Sequence, residues 1–438
     1  MIYNNNLLNE LAQVKKRLIS EKKILDKKDK NIYPILDVPY VIPKDWIWCY
    51  LSDISIIQEG PGIRKHQYSD EGIQFLTVTN ILEGNVDLEK SKKYISLKEY
   101  NNTYKHFTIN YGDIVTACSG GSWGKSAMFL SNETLILNTS TLRLRFFDDL
   151  GSNKYLYYLT KTDYFKNNLS SYSTGQQPNY GYSHYSKIPI PLPPLQEQER
   201  IVAILDEAFA AIEKTKANTE QNLKNAKELF ESHIGNIFTN AGKDWEVKTL
   251  GDIGKPSMCK RILKNQTLPS GDVPFYKIGT FGKKPDAFIS QEIFDEFRTK
   301  YSFPKKGDIL ISASGTIGRR VRYDGEPAFF QDSNIVWIDN DEKQVLNDYL
   351  YVFYEFCDWQ PSKGATIARL YNSNLTSIKI SFPKSLIEQQ TIVSKLDALS
   401  EQTKKLEAVY EQKLQDLEEL KKSVLKMVFS GELTNKIK

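Results

Sequence analysis

The most regular hydrophobic pattern in the chain recurs every seven residues, in two separate segments. In the C-terminal segment the mostly apolar rows are Leu396, Thr403, Tyr410, Leu417 and Val424, beside Leu399, Leu406, Lys413, Leu420 and Met427. In the central segment they are Val202, Phe209, Lys216, Leu223, Phe230 and Ile237, beside Leu205, Ile212, Thr219, Ala226 and His233. This spacing is typical of helices that bury a stripe in a coiled coil. It predicts two helices of about 40 residues, each roughly 60 Å long.

Shorter patterns outside these helices indicate a mixed α/β (α+β) fold. A further helical stripe comprises Leu7, Leu11, Val14, Leu18 and Leu25. Alternating or β-branched runs predict strands at 114–116, 141–146, 309–311 and 333–338. Aromatic-rich runs predict helices over 154–172 and 345–359.

Four groups of residues recur in the same order in the two halves of the chain. The pairs are 44–46 with 51–54 against 243–245 with 250–253, 111–115 against 306–310, 174–177 against 363–366, and 195–198 against 386–389. The last match keeps a constant offset of 191 residues as far as Asp206 and Asp397. A repeat of this length is a duplicated domain and not a solenoid unit.

The repeat and the prolines before each long helix suggest a division into five parts. Pro189, Pro191, Pro193 and Pro194 precede the first helix, and Pro383 precedes the second. Proline disfavours helix in the residue before it and suits a first helical turn. We predict an N-terminal helical segment (1–36), a first domain (37–193), a central helix (194–240), a second domain (241–383) and a C-terminal helix (384–438).

Composition limits the classes of protein without selecting one. The 438 residues are 40% hydrophobic and 26% charged, with a net charge of +4 and a pI near 8.5. This mild basicity permits nucleic-acid binding but does not demand it. No apolar run approaches the length of a membrane helix, and the four cysteines lie at no metal-ligand spacing. We expect a cytoplasmic protein with reduced thiols.

Catalytic motifs are missing from the sequence. Residues 119–126 resemble a phosphate-binding loop, but Ser119 occupies the position of the first glycine, and the corresponding stretch 313–319 lacks both that glycine and the lysine. No methyltransferase tetrapeptide and no Gly-x-Gly cofactor loop is present. The histidines are isolated, and His233 on the helical stripe is interpreted as structural. We expect a chain with no enzymatic activity, no metal and no cofactor of its own.

The repeat, the Gly-Asp-Ile segments and the Pro-Leu-x-Glu-Gln type of helix start resemble the specificity subunits of type I restriction–modification systems. The strongest local matches are 189–198 and 306–312. The resemblance implies two target-recognition domains, each reading one half of a split, asymmetric DNA site. It implies that the helices pack antiparallel, set the spacer between the half-sites and dock the methyltransferase subunits.

The same resemblance implies partners that carry the chemistry. Two methyltransferase subunits would use S-adenosylmethionine, and two restriction or motor subunits would use ATP and Mg. A structural or adaptor protein with paired domains on a coiled-coil stalk, without a role on DNA, is an alternative. A standalone DNA enzyme is another, which the missing motifs disfavour.

Base reading requires Arg, Lys, Asn or Gln side chains on loops of a rigid scaffold. In the first domain we predict Arg64, Lys65, Gln176, Gln177 and Asn179, with Tyr180 as a backbone or stacking contact. In the second domain we predict Lys260, Arg261, Arg319, Arg320, Lys363 and Arg369. For each residue alone, a solvated surface position or a phosphate contact remains the alternative.

Overall fold

The computed structural model describes residues 5–21, 35, 38, 40–147, 150–172, 178–239, 242, 244–360 and 368–433. The chain divides into two compact units, Met1–Asn218 with Lys413–Lys438 (unit 1) and Thr219–Gln412 (unit 2). The two long helices, α7 (Leu195–Thr239) and α12 (Leu386–Phe429), each contribute residues to both units. The five-part division drawn from the sequence stays a prediction.

Unit 1 joins short strands and short helices to parts of α7 and α12. Its helices are α1 (Asn5–Ser20), α2 (Leu51–Ile54), α3 (Leu97–Glu99), α4 (Asn153–Thr160), α5 (Asp163–Ser170) and α6 (Tyr182–Tyr185). Its strands are β1 (Ile47–Tyr50), β2 (Ser55–Glu59), β3 (Ile73–Leu76), β4 (Tyr94–Ile95), β5 (Ile114–Ala117), β6 (Ser126–Met128), β7 (Leu135–Leu137), β8 (Thr141–Phe146) and β9 (Pro189–Leu192).

Unit 2 repeats this composition. Its helices are α8 (Leu250–Ile253), α9 (Gln291–Lys300), α10 (Asn347–Phe356) and α11 (Asn372–Ser377). Its strands are β10 (Trp245–Thr249), β11 (Gly254–Ser257), β12 (Val273–Tyr276), β13 (Phe288–Ile289), β14 (Ile309–Ser312), β15 (Arg320–Arg322), β16 (Phe329–Phe330), β17 (Ile335–Asn340) and β18 (Lys379–Pro383).

Strand order confirms the duplication. Unit 1 contains the sheets β2-β8-β5-β6 and β4-β3-β7 and the pair β1-β9, while unit 2 contains β11-β17-β14-β15, β13-β12-β16 and β10-β18. Corresponding strands occupy the same places and run in the same relative directions. The predicted α/β (α+β) class is confirmed. The predicted helix over 154–172 is two helices, because the Thr162 hydroxyl accepts from the Phe165 N–H and starts α5.

The repeated Gly-Asp-Ile segments form a tight turn that leads into a central strand. Gly112 and Gly307 have φ angles of 83° and 96°, which favour glycine. Each following aspartate is buried and accepts a hydrogen bond from a backbone N–H three residues earlier, Asn110 for Asp113 and Lys305 for Asp308. These aspartates therefore stabilise the turns that precede β5 and β14.

The two aspartates differ in their electrostatic partners. Asp113 pairs with Arg143 at 3.0 Å and with Arg145 at 2.9 Å, both on β8. The equivalent positions of β17 carry Trp337 and Asp339, so Asp308 has a second carboxylate nearby instead of two cations. Desolvation by burial, followed by the Asp339 charge, raises the pKa of Asp308 above its ordinary value.

One glutamine in the first turn of each long helix joins that helix to its domain. The Gln198 amide donates to the carbonyl oxygens of Leu150 and Pro193 at 3.0 Å and accepts from the Ser152 N–H at 3.2 Å. Gln389 likewise donates at 2.8 Å to the carbonyls of Gln344 and Pro383 and accepts from the Leu346 N–H at 2.9 Å. Both glutamines are completely buried.

Within each unit the long helices run antiparallel and exchange ion pairs. In unit 1, Lys216 pairs with Glu418 at 2.7 Å and Glu213 with Lys421 at 3.0 Å. In unit 2, Lys227 lies 4.0 Å from Glu407. On α7, Leu205, Ile212 and Thr219 are buried as the heptad pattern predicts. His233 of the predicted row is exposed and does not belong to the buried stripe.

The second predicted row of α12 is also wrong. Leu406 and Leu420 of that row are 42% and 46% exposed. The covered row lies one residue later and comprises Val393, Ser400, Glu407, Leu414, Lys421 and Val428. Long charged side chains can cover a helix interface with their apolar stems, which the hydrophobic pattern alone does not detect.

The N-terminal helix packs by its predicted stripe. Leu7, Leu11, Val14 and Leu18 are buried in the core of unit 1, and Leu25 lies outside the described residues. The Lys15 ammonium pairs with the buried Asp53 carboxylate at 2.7 Å, which fixes α1 beside the start of α2. Among the described residues, no helix combines the length and the apolar character needed to cross a membrane.

We predict that Gln198→Leu lowers the free energy of unfolding by about 3 kcal/mol or more, because three backbone groups lose their partner and each costs about 1–3 kcal/mol when left unpaired. Urea unfolding followed by circular dichroism measures the change. Gln196→Leu, at an exposed position in the same turn, is the matched control and should shift stability by less than about 0.5 kcal/mol. Equal losses in the two variants would contradict the assignment.

We predict that the fold is more sensitive to loss of the Asp113 carboxylate than to loss of the Asp308 carboxylate. Asp113→Asn leaves Arg143 and Arg145 with an uncharged partner and should cost about 3 kcal/mol. Asp308→Asn should cost less than about 1 kcal/mol at pH 7, because Asn still accepts from the Lys305 N–H and removes a costly buried charge. Since the folded pKa of Asp308 is raised, its carboxylate destabilises the fold most at higher pH. The cost of Asp308→Asn should therefore be smallest at pH 7 and should grow as the pH falls to 4.5 in unfolding experiments.

Candidate nucleic-acid interface

In each unit three separated segments meet beside the end of a central strand. In unit 1 they are the loop after β2, the β7–β8 turn and the segment before α6. The Gly60 N–H donates to the Thr141 carbonyl, the Cys118 N–H to the Ser140 carbonyl and the Tyr180 N–H to the Cys118 carbonyl. Two of the three segments carry residues predicted from the sequence to read DNA.

Unit 2 assembles the corresponding segments in the same way. The Ala313 N–H donates to the Asn334 carbonyl, and the Leu370 N–H donates to the Ala313 carbonyl. Ser314 and Arg369 form a β-bridge that corresponds to the bridge between Ser119 and Asn179 in unit 1. A shared backbone frame therefore presents Asn179 in one unit and Arg369 in the other.

The three segments of unit 2 enclose a cleft of about 440 Å³. Arg261, Lys264, Lys277 and Arg369 line it together with Asp332 and Asn334. The structure thus brings together two of the predicted residues, Arg261 and Arg369, from positions more than 100 residues apart. The cleft combines positive charge with polar groups on a fixed frame, which suits recognition of a polyanion with distinct base edges.

Two lysines of the cleft were missed by sequence reasoning. Lys264 begins a tight turn, Lys264–Gln266, that matches the turn Lys65–Gln67 of unit 1, and each glutamine side chain accepts from the backbone N–H three residues earlier. Extending the repeat to this turn would have found Lys264 from the predicted Lys65. Lys277 follows β12 and has no such signal in the sequence, because its place in the cleft depends on folding.

Three other predicted residues of unit 2 engage neighbouring elements instead of lining this cleft. The Lys260 ammonium lies 4.7 Å from the centre of the Tyr301 ring. Arg319 donates to the Phe281 carbonyl at 3.0 Å. Arg320 pairs with Glu355 and stacks over Tyr351, 4.4 Å from the ring centre, so its guanidinium joins β15 to α10.

Some of the residues predicted to read DNA in unit 1 lie on the surface, and one is buried. Arg64, Lys65 and Asn179 are exposed. Tyr180 is only 2% exposed, with its ring 5.1 Å from that of Trp123, so its burial argues against the predicted stacking contact. Gln176, Gln177 and Lys363 lie outside the described residues.

The segment that resembles a phosphate-binding loop is a hairpin connection. Residues 119–125 join β5 to β6 through a tight turn at Gly120–Ser122, and a strand follows where a phosphate-binding loop requires a helix. Lys125 corresponds to Arg319 of unit 2. The Lys125 carbonyl accepts from the Ala117 N–H of β5, and the Arg319 carbonyl accepts from the Ser312 N–H of β14. The local geometry is therefore that of a turn and not of a nucleotide site.

The described part of the chain contains neither a metal-ligand cluster nor a cysteine with a lowered pKa. No group of three or more His, Cys, Asp or Glu residues there is arranged to hold a metal ion. Burial raises the pKa of the Cys259 and Cys357 thiols to about 12, which disfavours a nucleophilic thiolate at neutral pH.

Comparison with known proteins assigns the family. The family model described as the type I restriction modification DNA specificity domain matches residues 43–225 and again residues 242–418. The chain belongs to this family. It is thus a specificity subunit with two DNA-recognition domains, and not one of the catalytic subunits of such a system.

Individual relatives agree with this assignment. A Haemophilus influenzae protein whose name describes it as a type I restriction enzyme specificity subunit is 43% identical over 316 residues. The match covers 69% of this chain and 77% of that protein. The StySPI specificity subunit of Salmonella potsdam is 24% identical over 434 residues, covering 90% of each chain.

Solved structures agree with the fold. One similar chain comes from a structure that describes the complex assembly and conformational transition of the type I R-M system. Its TM-score is 0.71 at 19% sequence identity. It covers 90% of this specificity subunit and 100% of that chain. The HsdS subunit of Thermoanaerobacter tengcongensis has a TM-score of 0.59, also at 19% identity, covering 90% and 98%.

We predict that Arg320→Ala lowers stability without changing which bases the specificity subunit selects. Loss of the Tyr351 stacking and the Glu355 ion pair should cost about 1–2 kcal/mol. Arg261→Ala, at a side chain that is 69% exposed, should leave stability within about 0.5 kcal/mol. Thermal unfolding and sequencing of methylated sites measure the two effects, and altered base selection by Arg320→Ala would show that Arg320 reads DNA.

Proposed function

We propose that unit 1 reads one half of a bipartite, asymmetric DNA site and unit 2 reads the other half. The observation that carries this proposal is that the two units share one backbone arrangement but place different side chains on it. Asn179 and Arg369 occupy the same bridge position, yet asparagine pairs best with adenine and arginine with guanine. Two domains with one frame and different reading residues suit a site whose halves differ in sequence.

The predicted reading residues remain part of this proposal. In unit 1 the exposed candidates are Arg64, Lys65 and Asn179. In unit 2 Arg261 and Arg369 are favoured by their place in the cleft, with Lys264 added as a phosphate contact. Lysine suits that task because a flexible point charge binds phosphate without demanding a fixed orientation.

We further propose that the long helices determine the number of unread base pairs between the half-sites. Their lengths of 45 and 44 residues correspond to roughly 66 Å at 1.5 Å per residue. Half-sites read from one face of DNA lie about 34–36 Å apart. Helices of this length are long enough to span that distance.

The outer surfaces of the helices support docking of partner subunits. In unit 2 Leu229 is 71% exposed and Val409 is 60% exposed, and Leu406 is 42% exposed. Apolar side chains on a long helix are costly in water and suit a protein interface. We propose that two methyltransferase subunits with S-adenosylmethionine bind here, and that two restriction subunits with ATP and Mg join the complex.

The proposal is tested by exchanging residues 241–383 for the corresponding domain of a relative with a different site. We expect methylation to change in one half of the site only, and the spacer to stay unchanged, because both long helices are retained. Methylome sequencing of cells that express the chain with its methyltransferase subunit gives the site. A change in both halves, or a site set by the first domain alone, would contradict the two-reader model. Absence of any sequence-specific methylation would favour an adaptor instead.

A further inference from the structure

The cleft of unit 2 contains two arginines that are each held by a residue of the same short turn. This turn, residues 331–334, joins β16 to β17 and is tightly folded. Ser333 has a φ of 54°, and the Asn334 N–H donates to the Asp332 carbonyl at 2.7 Å. The sequence predicted a strand from residue 333, whereas β17 begins at Ile335, and none of the four turn residues was predicted to contact DNA.

Asp332 holds Arg261 by one defined atom of the guanidinium. The Arg261 Nε donates to Asp332 Oδ2 at 3.0 Å, and the Ser333 hydroxyl donates to the same oxygen at 3.2 Å. Among the residues that the structure describes, neither Nη group of Arg261 has a hydrogen-bond partner. The end of the guanidinium thus keeps two parallel donors, while its orientation is set by the carboxylate.

Asn334 holds Arg369 in a comparable way. The Arg369 Nη2 donates to Asn334 Oδ1 at 3.2 Å, and the Ser314 hydroxyl donates to that oxygen at 2.7 Å. The backbone bridge between Ser314 and Arg369 fixes the other end of the side chain. Both arginines are exposed at the cleft, and their supports are partly buried.

Both arginines are oriented as a paired contact to guanine requires, and the carboxylate beside Arg261 also disfavours phosphate there. Guanine presents two acceptors, O6 and N7, to a paired donor in the major groove, whereas adenine presents a donor at one of these places. The Asp332 carboxylate lowers the positive potential around Arg261 and so weakens its attraction to phosphate, but it leaves hydrogen bonding to neutral acceptors intact. The lysines of the cleft offer no such paired donors, because an ammonium is a point charge without the planar fork of a guanidinium, and Lys277 is itself paired with Asp286 at 2.8 Å.

We propose that Arg261 and Arg369 each contact a guanine in the half-site read by unit 2, and that Asp332 and Asn334 are the positioning residues that make these contacts selective. This inference rests on the proposed function. Unit 1 has no equivalent of the first pair, because its matching loop carries Gly62 where unit 2 has Arg261. The two half-sites therefore differ at this position.

The experiment uses the full chain in complex with its methyltransferase subunits. The wild-type site is first obtained by methylome sequencing, and binding is then measured on duplexes that carry every single-base substitution. For Arg261→Ala, discrimination for guanine at one position of one half-site should fall roughly five- to 150-fold, and selectivity elsewhere should persist. Arg261→Gln should shift the preference at that position toward adenine.

Asp332→Ala provides the readout that separates positioning from simple structural support. Removal of the carboxylate should relax the same position as Arg261→Ala and should also strengthen binding to unrelated DNA at low salt, since the arginine becomes a better phosphate ligand. Asn334→Ala should relax a second position in the same half-site. The control Glu296→Ala with Lys300→Ala removes an exposed ion pair of α9 outside the cleft and should change neither property.

Recognition of the half-site assigned to unit 1 serves as the internal test of folding and assembly. If Arg261→Ala weakens binding to all duplexes equally and reduces the salt dependence, Arg261 is a phosphate contact and the inference is wrong. If Asp332→Ala leaves both selectivity and low-salt binding unchanged, the positioning role is wrong. If the wild-type complex shows no sequence preference in either half-site, the proposed function itself fails.

Discussion

The attachment of each long helix depends on a single buried amide. Gln198 and Gln389 use both donors and the acceptor of the side chain. Their partners are backbone groups of the proline before the helix, Pro193 or Pro383, and of the loop before α4 or α10. Satisfying all three groups without water allows the amide to be buried at no net polar cost. The direction in which the helix leaves its domain is therefore fixed by hydrogen bonds and not by apolar packing alone. Any function that relies on the helices as rigid elements relies on these amides first.

The motifs that reveal the duplication are parts of this frame. Asp53 and Asp252 accept from the backbone N–H at the start of α2 and α8, and Asp113 and Asp308 do the same before β5 and β14. Each motif fixes a turn or a helix start that the other copy also needs. Similarity between the halves therefore identifies the scaffold. Positions where the halves differ within this scaffold, such as Asn179 and Arg369 at one bridge position, are therefore the candidates for reading DNA under the proposed function.

Sequence reasoning could predict the elements whose pattern is local. Strand β8 was predicted with its observed bounds, and the starts of both long helices follow from proline and glutamine positions. Sequence reasoning failed where contacts between distant residues determine which side chains are buried or paired. The covered row of α12 includes Glu407 and Lys421, which reach oppositely charged residues of α7 within their own units. Arg320 resembles a reading residue in sequence, but its partners Tyr351 and Glu355 come from a helix about 30 residues later.

The mild net charge of +4 is accompanied by ion pairing within the cleft of unit 2. Two of the four basic side chains that line the cleft have acidic partners, Arg261 with Asp332 and Lys277 with Asp286. A cation paired in this way contributes less to the long-range field that attracts any DNA, yet its hydrogen-bond donors stay available at short range. Reducing non-specific attraction raises the ratio of specific to non-specific binding, which is the quantity that matters when one site competes with a genome of others. For a subunit that selects sites, a nearly balanced charge with oriented donors is therefore more useful than a strongly basic surface.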